Sequence, residues 1–152
     1  MKTVSLLPVL LSAAWSVASA QDWLPEAKSE TEARNLETMR LWDAEVWGKG
    51  RLELVAELVA PEYVRHDRNG TRVVTPESYA KEIAANRGNN MVFVVKAASI
   101  DGDFLWTRWS ATAQPSGSDE IVFRGIQIYG FADGKLAETW LLTANGEPWP
   151  EN

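Results

Sequence analysis

The sequence predicts an α+β fold in which helices back a curved antiparallel sheet, forming a cone with an internal pocket. Three observations lead there. Apolar residues recur at helical spacing only in the first half of the domain. The second half holds four runs rich in branched and aromatic residues, two pairs of which are joined by Asp-Gly turns. These runs are about ten residues or longer, and strands of that length curl as they twist. Helices first and hairpin-linked strands afterwards give helices on one face of an antiparallel sheet.

Residues 1–20 are expected to be a cleavable signal peptide. Lys2 opens the segment, an apolar run covers Val4 to Val17, and Ala18-Ser19-Ala20 ends it before the polar Gln21. The run is too short for the roughly 20 residues that span a bilayer. The mature chain, 21–152, is therefore expected to be a single domain that is secreted or periplasmic. Gln21 to about Glu30 reads as a polar leader. Leu36, Met39, Trp42, Val46 and Trp47 then predict a helix ending near Gly48, and Leu52, Leu54, Val55, Leu58 and Val59 a second ending before Pro61. Tyr63 to Asp67 is a short strand, followed by a polar turn through Asn69 and Gly70. Thr75 before Pro76 starts a third helix that runs to about Asn86, since the threonine oxygen caps and proline lacks only an N–H that is unpaired there anyway. Met91–Ile100, Phe104–Thr112, Ile121–Ala132 and Leu136–Thr143 are the four strands of a meander, with a looser turn over Pro115 to Asp119.

Composition narrows the function. A net charge of -6 without any basic cluster argues against nucleic acid or an anionic membrane as partner. The absence of cysteine excludes disulfides, thiol nucleophiles and zinc-thiolate sites. Eight tryptophans, all but Trp15 beyond the signal segment, indicate a broad apolar interior or a lined cavity.

Several spaced motifs carry a family resemblance. Trp47-Gly48-Lys49-Gly50-Arg51-Leu52-Glu53 is followed by Leu58 through Asp67, then by Asp101-Gly102-Asp103, Thr107-Arg108-Trp109-Ser110, and Phe123 through Trp140. In this order they resemble the SnoaL-like polyketide cyclases of the nuclear transport factor 2-like superfamily, over roughly Leu36 to Trp140. The resemblance implies a cystatin-like, helix-backed cone with a deep apolar pocket, and proton chemistry by His and carboxylate side chains without metal or organic cofactor. It also departs from the family. Thr112-Ala113-Gln114-Pro115 stands where members often carry Gly-Thr-His, and Leu141 to Asn145 follow Trp140 without the aspartate that cyclases use as acid/base.

His66, the single histidine, matches the family's Tyr-x-x-His segment and suits general acid/base work near neutral pH. Two roles are open to it, proton exchange or bracing of the cone mouth. Alternation places His66 with Val64 and opposite Tyr63, Arg65 and Asp67, which makes Asp67 structural if His66 points inward. Arg108 and Gln127 are expected to steady negative charge on a substrate oxygen; Arg108 is otherwise a surface residue and Gln127 an exposed one. Tyr63, Trp106, Trp109, Tyr129 and Trp140 are the aromatic contacts expected for the substrate, and Trp149 in the tail is expected to close the pocket mouth. Glu138 is either a buried carboxylate or the solvent side of its hairpin. The function read from these residues is a cofactor-independent acid/base enzyme of cyclase, lyase, isomerase or hydrolase type, acting on a small apolar carbonyl or ester compound. A non-catalytic binder of a small apolar ligand is the alternative, and a dimer-forming accessory domain a third reading. No metal is expected, and a homodimer is compatible with the open sheet.

Overall fold

The structure, a computed structural model, describes residues 23–88 and 91–150; the expected signal peptide lies outside the described residues. Helix α1 (Glu30–Leu41) begins where Ser29 turns extended and its hydroxyl accepts from the Glu32 N–H at 3.2 Å, satisfying one free donor of the first turn. Glu30 and Glu32 sit at its positive end and Arg40 at its negative end. It runs on into a π-helical segment, Trp42–Gly48. Gly50, at φ +76°, then turns the chain into a 3-10 turn, Leu52–Leu54, and the one-turn helix α2 (Val55–Leu58).

The second predicted helix is thus cut short. Strand β1 (Val59–Asp67) starts directly after α2 and passes through Pro61. A proline can sit there because the ladder to the neighbouring strand jumps from Val59 to Val64, so the missing N–H removes no sheet bond. The sequence reading also stops one strand early: β2 (Gly70–Val74) pairs back on β1 across the two-residue loop Arg68-Asn69. Asp67 Oδ1 accepts from the Asn69 N–H at 2.8 Å, a local bond that tightens this turn. Helix α3 (Pro76–Arg87) follows the reading, with Thr75 and Ser78 forming a capping box.

β3 (Val92–Asp101), β4 (Phe104–Ala113), β5 (Ile121–Ala132) and β6 (Lys135–Asn145) form the predicted meander. The β5–β6 turn has Asp133 at φ +50° and Gly134 at φ +78°, the left-handed pair that a two-residue hairpin requires. Strand order is β2-β1-β6-β5-β4-β3, and α3 carries the chain from the β2 edge to the β3 edge. One pair departs from the antiparallel expectation: β1 runs parallel to β6, its neighbour on the side away from β2.

The helices pack on one face of the sheet. Leu36, Met39, Trp42, Val46, Val55, Leu58 and Ile83 meet Val59, Ile100, Leu105, Phe131 and Leu136 in a continuous core. The sheet residues of this core lie beside the β3–β4 and β5–β6 turns, and α1 fastens both. Asn35 Nδ2 donates to Gly102 O (3.2 Å) and Asp103 Oδ1 (3.0 Å), Gly102 N–H donates to Glu32 Oε1 (3.1 Å), and the Thr38 hydroxyl donates to Gly134 O. This end of the cone is filled. The strands are long enough to continue past it, and there the interior opens.

Candidate functional site

The opening is a cavity of about 470 Å³. Strand alternation decides what faces it: Thr107 and Trp109 from β4, Phe123, Gln127 and Tyr129 from β5, and Leu141 and Thr143 from β6. Trp42 and Trp47 of the π segment, Trp23 of the leader and Phe93 of β3 complete a largely aromatic wall. Gly125 stands among these inward positions because the Trp109 ring lies across it; a Cβ there would come within 2.3 Å of the ring.

Polar side chains enter this wall from several elements, Arg68, Asn69, Asn86 and Asn145 among them. Asp43 is carried by the π segment, and burial pushes its carboxyl above the usual aspartate range, opposed by the Trp23 Nε1–H, which donates to Oδ2 at 3.2 Å. Tyr129 is half-buried with its phenol out of water, which raises the phenol, and the nearby Tyr79 and Asp43 add to the shift. It therefore stays neutral and able to donate. Arg65 and Asp67 of β1 also line the cavity, each with a partner. Arg65 Nη1 donates to Glu82 Oε2 at 3.0 Å and its guanidinium lies 4.5 Å over the Tyr79 ring; Arg72 Nη2 donates to the same Glu82 oxygen at 2.9 Å and stands 3.7 Å from Asp67 Oδ2. The Arg72 hydrogen bonds, with Arg65 nearby, hold the Glu82 carboxyl below its ordinary range. Gln127 Nε2 donates to Thr139 Oγ1 at 3.1 Å, which fixes the amide against the wall. Among the described residues, no group of three or more His, Cys, Asp or Glu is placed to hold a metal ion.

The structure brings three of the expected site residues together, Trp109, Gln127 and Tyr129. Tyr63 is inward but belongs to the core, packed 5.1 Å from the Tyr79 ring rather than on the cavity wall. The other four stand on the opposite face of the sheet, which corrects the expectation that they line the pocket. His66 alternates outward on β1. Its Nδ1 lies 2.8 Å from Thr71 Oγ1, its Nε2 2.6 Å from Glu138 Oε1, and its ring stacks on Trp140 with centroids 5.3 Å apart. Glu138 is accordingly a partner of the histidine, half-exposed on that outer face. Trp106 and Arg108 flank Thr107 on β4 and share the outer side. The tail is corrected as well. Trp149 folds onto the outer face, its backbone N–H donating to Ser110 Oγ at 3.0 Å and its ring lying 4.9 Å from the Arg124 guanidinium and 5.9 Å from that of Arg108.

Asp43, Arg65 and Trp23 are the site residues that the sequence reading missed. A signal for the first was present: Asp43 interrupts an apolar helical stripe between Trp42 and Trp47, an uncommon place for a carboxylate that merely faces water. For Arg65, the alternation that sends Tyr63 inward sends Arg65 inward too.

Helices on one face of a curved sheet around an apolar cavity define the nuclear transport factor 2-like class of folds. The chain belongs to the SnoaL-like domain family, whose model matches residues 40–139. Among solved structures it is similar to a proposed polyketide cyclase from Acidithiobacillus ferrooxidans, at 23% identity over 78% of this chain and 91% of that one, with a TM-score of 0.63. A proposed SnoaL-like polyketide cyclase from Jannaschia sp. CCS1 has 20% identity over the same shares of the two chains and a TM-score of 0.64. An LEH-like epoxide hydrolase from M. tuberculosis has 11% identity over 74% of this chain and 84% of that one, with a TM-score of 0.62. At these identities the likeness establishes the fold. None of the curated proteins matches the chain significantly.

Proposed function

We propose that this domain is a cofactor-independent acid/base enzyme acting on a small, largely apolar carbonyl or ester compound, with Asp43 as its proton carrier. The observation that carries this reading is the Asp43 carboxyl, facing an aromatic cavity and held above its ordinary range by burial. A carboxylate so placed is a stronger base than one in water, and its acid form persists to higher pH. In the simplest step, ionised Asp43 takes a proton from carbon next to the carbonyl. The electron pair moves onto the carbonyl oxygen, to which the neutral Tyr129 hydroxyl donates, and the Asp43 acid then returns its proton to carbon. Such a sequence serves an isomerase, a lyase or an aldol-type cyclase alike.

Deuterium uptake tests the reading before any natural substrate is known. Incubated in D2O with a panel of aryl ketones, the wild-type protein is expected to speed exchange next to the carbonyl. Asp43→Asn is expected to lose at least about 10²-fold of that rate while still binding the ketones by tryptophan quenching. Unchanged exchange in Asp43→Asn contradicts the proposal. The binding-only reading draws on the number of aromatic and aliphatic side chains in the wall, and it is favoured if ketones bind without any exchange.

Two further parts of the proposal concern setting. Export rests on the pattern of residues 1–20; the expected mature protein begins at Gln21, and intact mass of the exported chain checks it. A homodimer through the outer face of the sheet is supported by Trp106, Ile126 and Leu142, which are 48%, 45% and 70% exposed there. Leu142→Lys is expected to yield monomer in sedimentation if a second copy covers that face.

A further inference from the structure

Trp23 lies on the segment before α1, outside every helix and strand, yet it reaches the cavity. Its indole N–H donates to Asp43 Oδ2 at 3.2 Å, and neighbouring Leu24 packs on the core. The Lys28 N–H donates to Glu32 Oε2 at 2.6 Å, tying the end of the segment to α1. No helix or ladder bond fixes Trp23, so its place is set by the cavity edge and by the carboxylate it meets. Among the described residues no other side chain hydrogen-bonds the Asp43 carboxyl. The other charged and titratable groups around the cavity are Tyr129 of β5, Tyr79 of α3, Arg65 and Asp67 of β1 and Arg68 of the following turn. Arg65 is held by Glu82, and Asp67 stands beside Arg72.

We propose that Trp23 is a positioning residue of the site: its N–H holds Oδ2 of Asp43 so that Oδ1 is the oxygen presented to the ligand, and its ring covers the cavity above the carboxyl. This inference rests on Asp43 as the proton carrier. A donor fixed on one oxygen sets the plane of the carboxyl, which a proton transfer to a bound carbon requires. It also favours the ionised form against burial, keeping part of the carboxyl ready as base. The ring, in turn, limits the water that could compete for the proton.

Trp23→Phe keeps most of the ring and removes the donor; Trp23→Ala removes both. Carbon-13 carboxyl NMR of the folded protein is expected to show the Asp43 midpoint moving upward in Trp23→Phe, and the low-pH limb of ketone exchange moving upward with it. Filling space alone would leave the midpoint in place, so an unmoved midpoint in Trp23→Phe overturns the positioning role. For the cover, stopped-flow quenching with an apolar ketone is expected to show faster entry and exit in Trp23→Ala than in Trp23→Phe. Equal rates overturn that half. The carboxyl titration needs no turnover, so its failure is distinct from failure of Asp43 as catalyst, which the Asp43→Asn exchange rate decides.

Discussion

Asp43 carries a cost that can be measured without substrate. Its raised pKa, caused by burial and opposed by Trp23, means that between the ordinary aspartate value and the folded one the native chain holds a proton that the unfolded chain has released. Stability contributed at this position therefore falls as pH rises through that window. Asp43→Asn keeps an acceptor for the Trp23 N–H and carries no charge. It is expected to be more stable than wild type at neutral pH, with the difference closing below the ordinary aspartate range, as read by urea unfolding at both pH values. Gly125 gives a second residue-scale expectation. Alanine there drives a methyl into the Trp109 ring, so Gly125→Ala should lose about 1–3 kcal/mol and weaken ketone binding as the ring is pushed into the cavity. At this scale the sequence was informative about side-chain direction but not about which direction was inward. The alternation grouping Tyr63, Arg65 and Asp67 against His66 was correct, but the residues expected at the site, His66 and Tyr63, came from both faces, and it is Arg65 and Asp67 that reach the cavity. Whether a strand's odd or even positions face the helices depends on tertiary packing, and the chemical appeal of a lone histidine carries no information about it.

Among the elements, α1 has the clearest structural task, since it holds two hairpin turns that the sequence places more than sixty residues away. Asn35→Ala removes the bonds to Gly102 and Asp103 and leaves a half-buried carbonyl without this donor. The expected loss is about 1–3 kcal/mol, read by thermal or urea unfolding, with hydrogen exchange rising first in the β3–β4 turn. The meander, its Asp-Gly turns and α3 were legible because each rests on local chemistry: positive φ at a turn, a cap before a proline. β2 and the early start of β1 were not. Thr71 to Val74 is too short for a firm period, and Val59 starts a strand by pairing with Leu136 of β6, a partner far away in sequence. The π segment left no local mark either, yet it carries Asp43, and helix irregularities of this kind often accompany functional sites.

At the scale of the whole molecule, the sheet separates two environments. One face, with the helices, encloses the aromatic cavity, Asp43 and Tyr129. The other carries His66, Glu138, Trp140 and an apolar surface with Trp106, Ile126 and Leu142. The resemblance read from the motifs identified the fold and the family, because apolar spacing and turn residues carry the architecture. It did not point to Asp43, because the usual aspartate after Trp140 is absent and the quoted motifs begin at Trp47, four residues beyond Asp43. The central claim is that proton chemistry belongs to the enclosed face. The measurement that tests it most directly compares deuterium uptake into an aryl ketone by Asp43→Asn and His66→Ala, each confirmed as folded. The account predicts loss of at least about 10²-fold in Asp43→Asn and an undiminished rate in His66→Ala. Loss in His66→Ala with Asp43→Asn unaffected would contradict it.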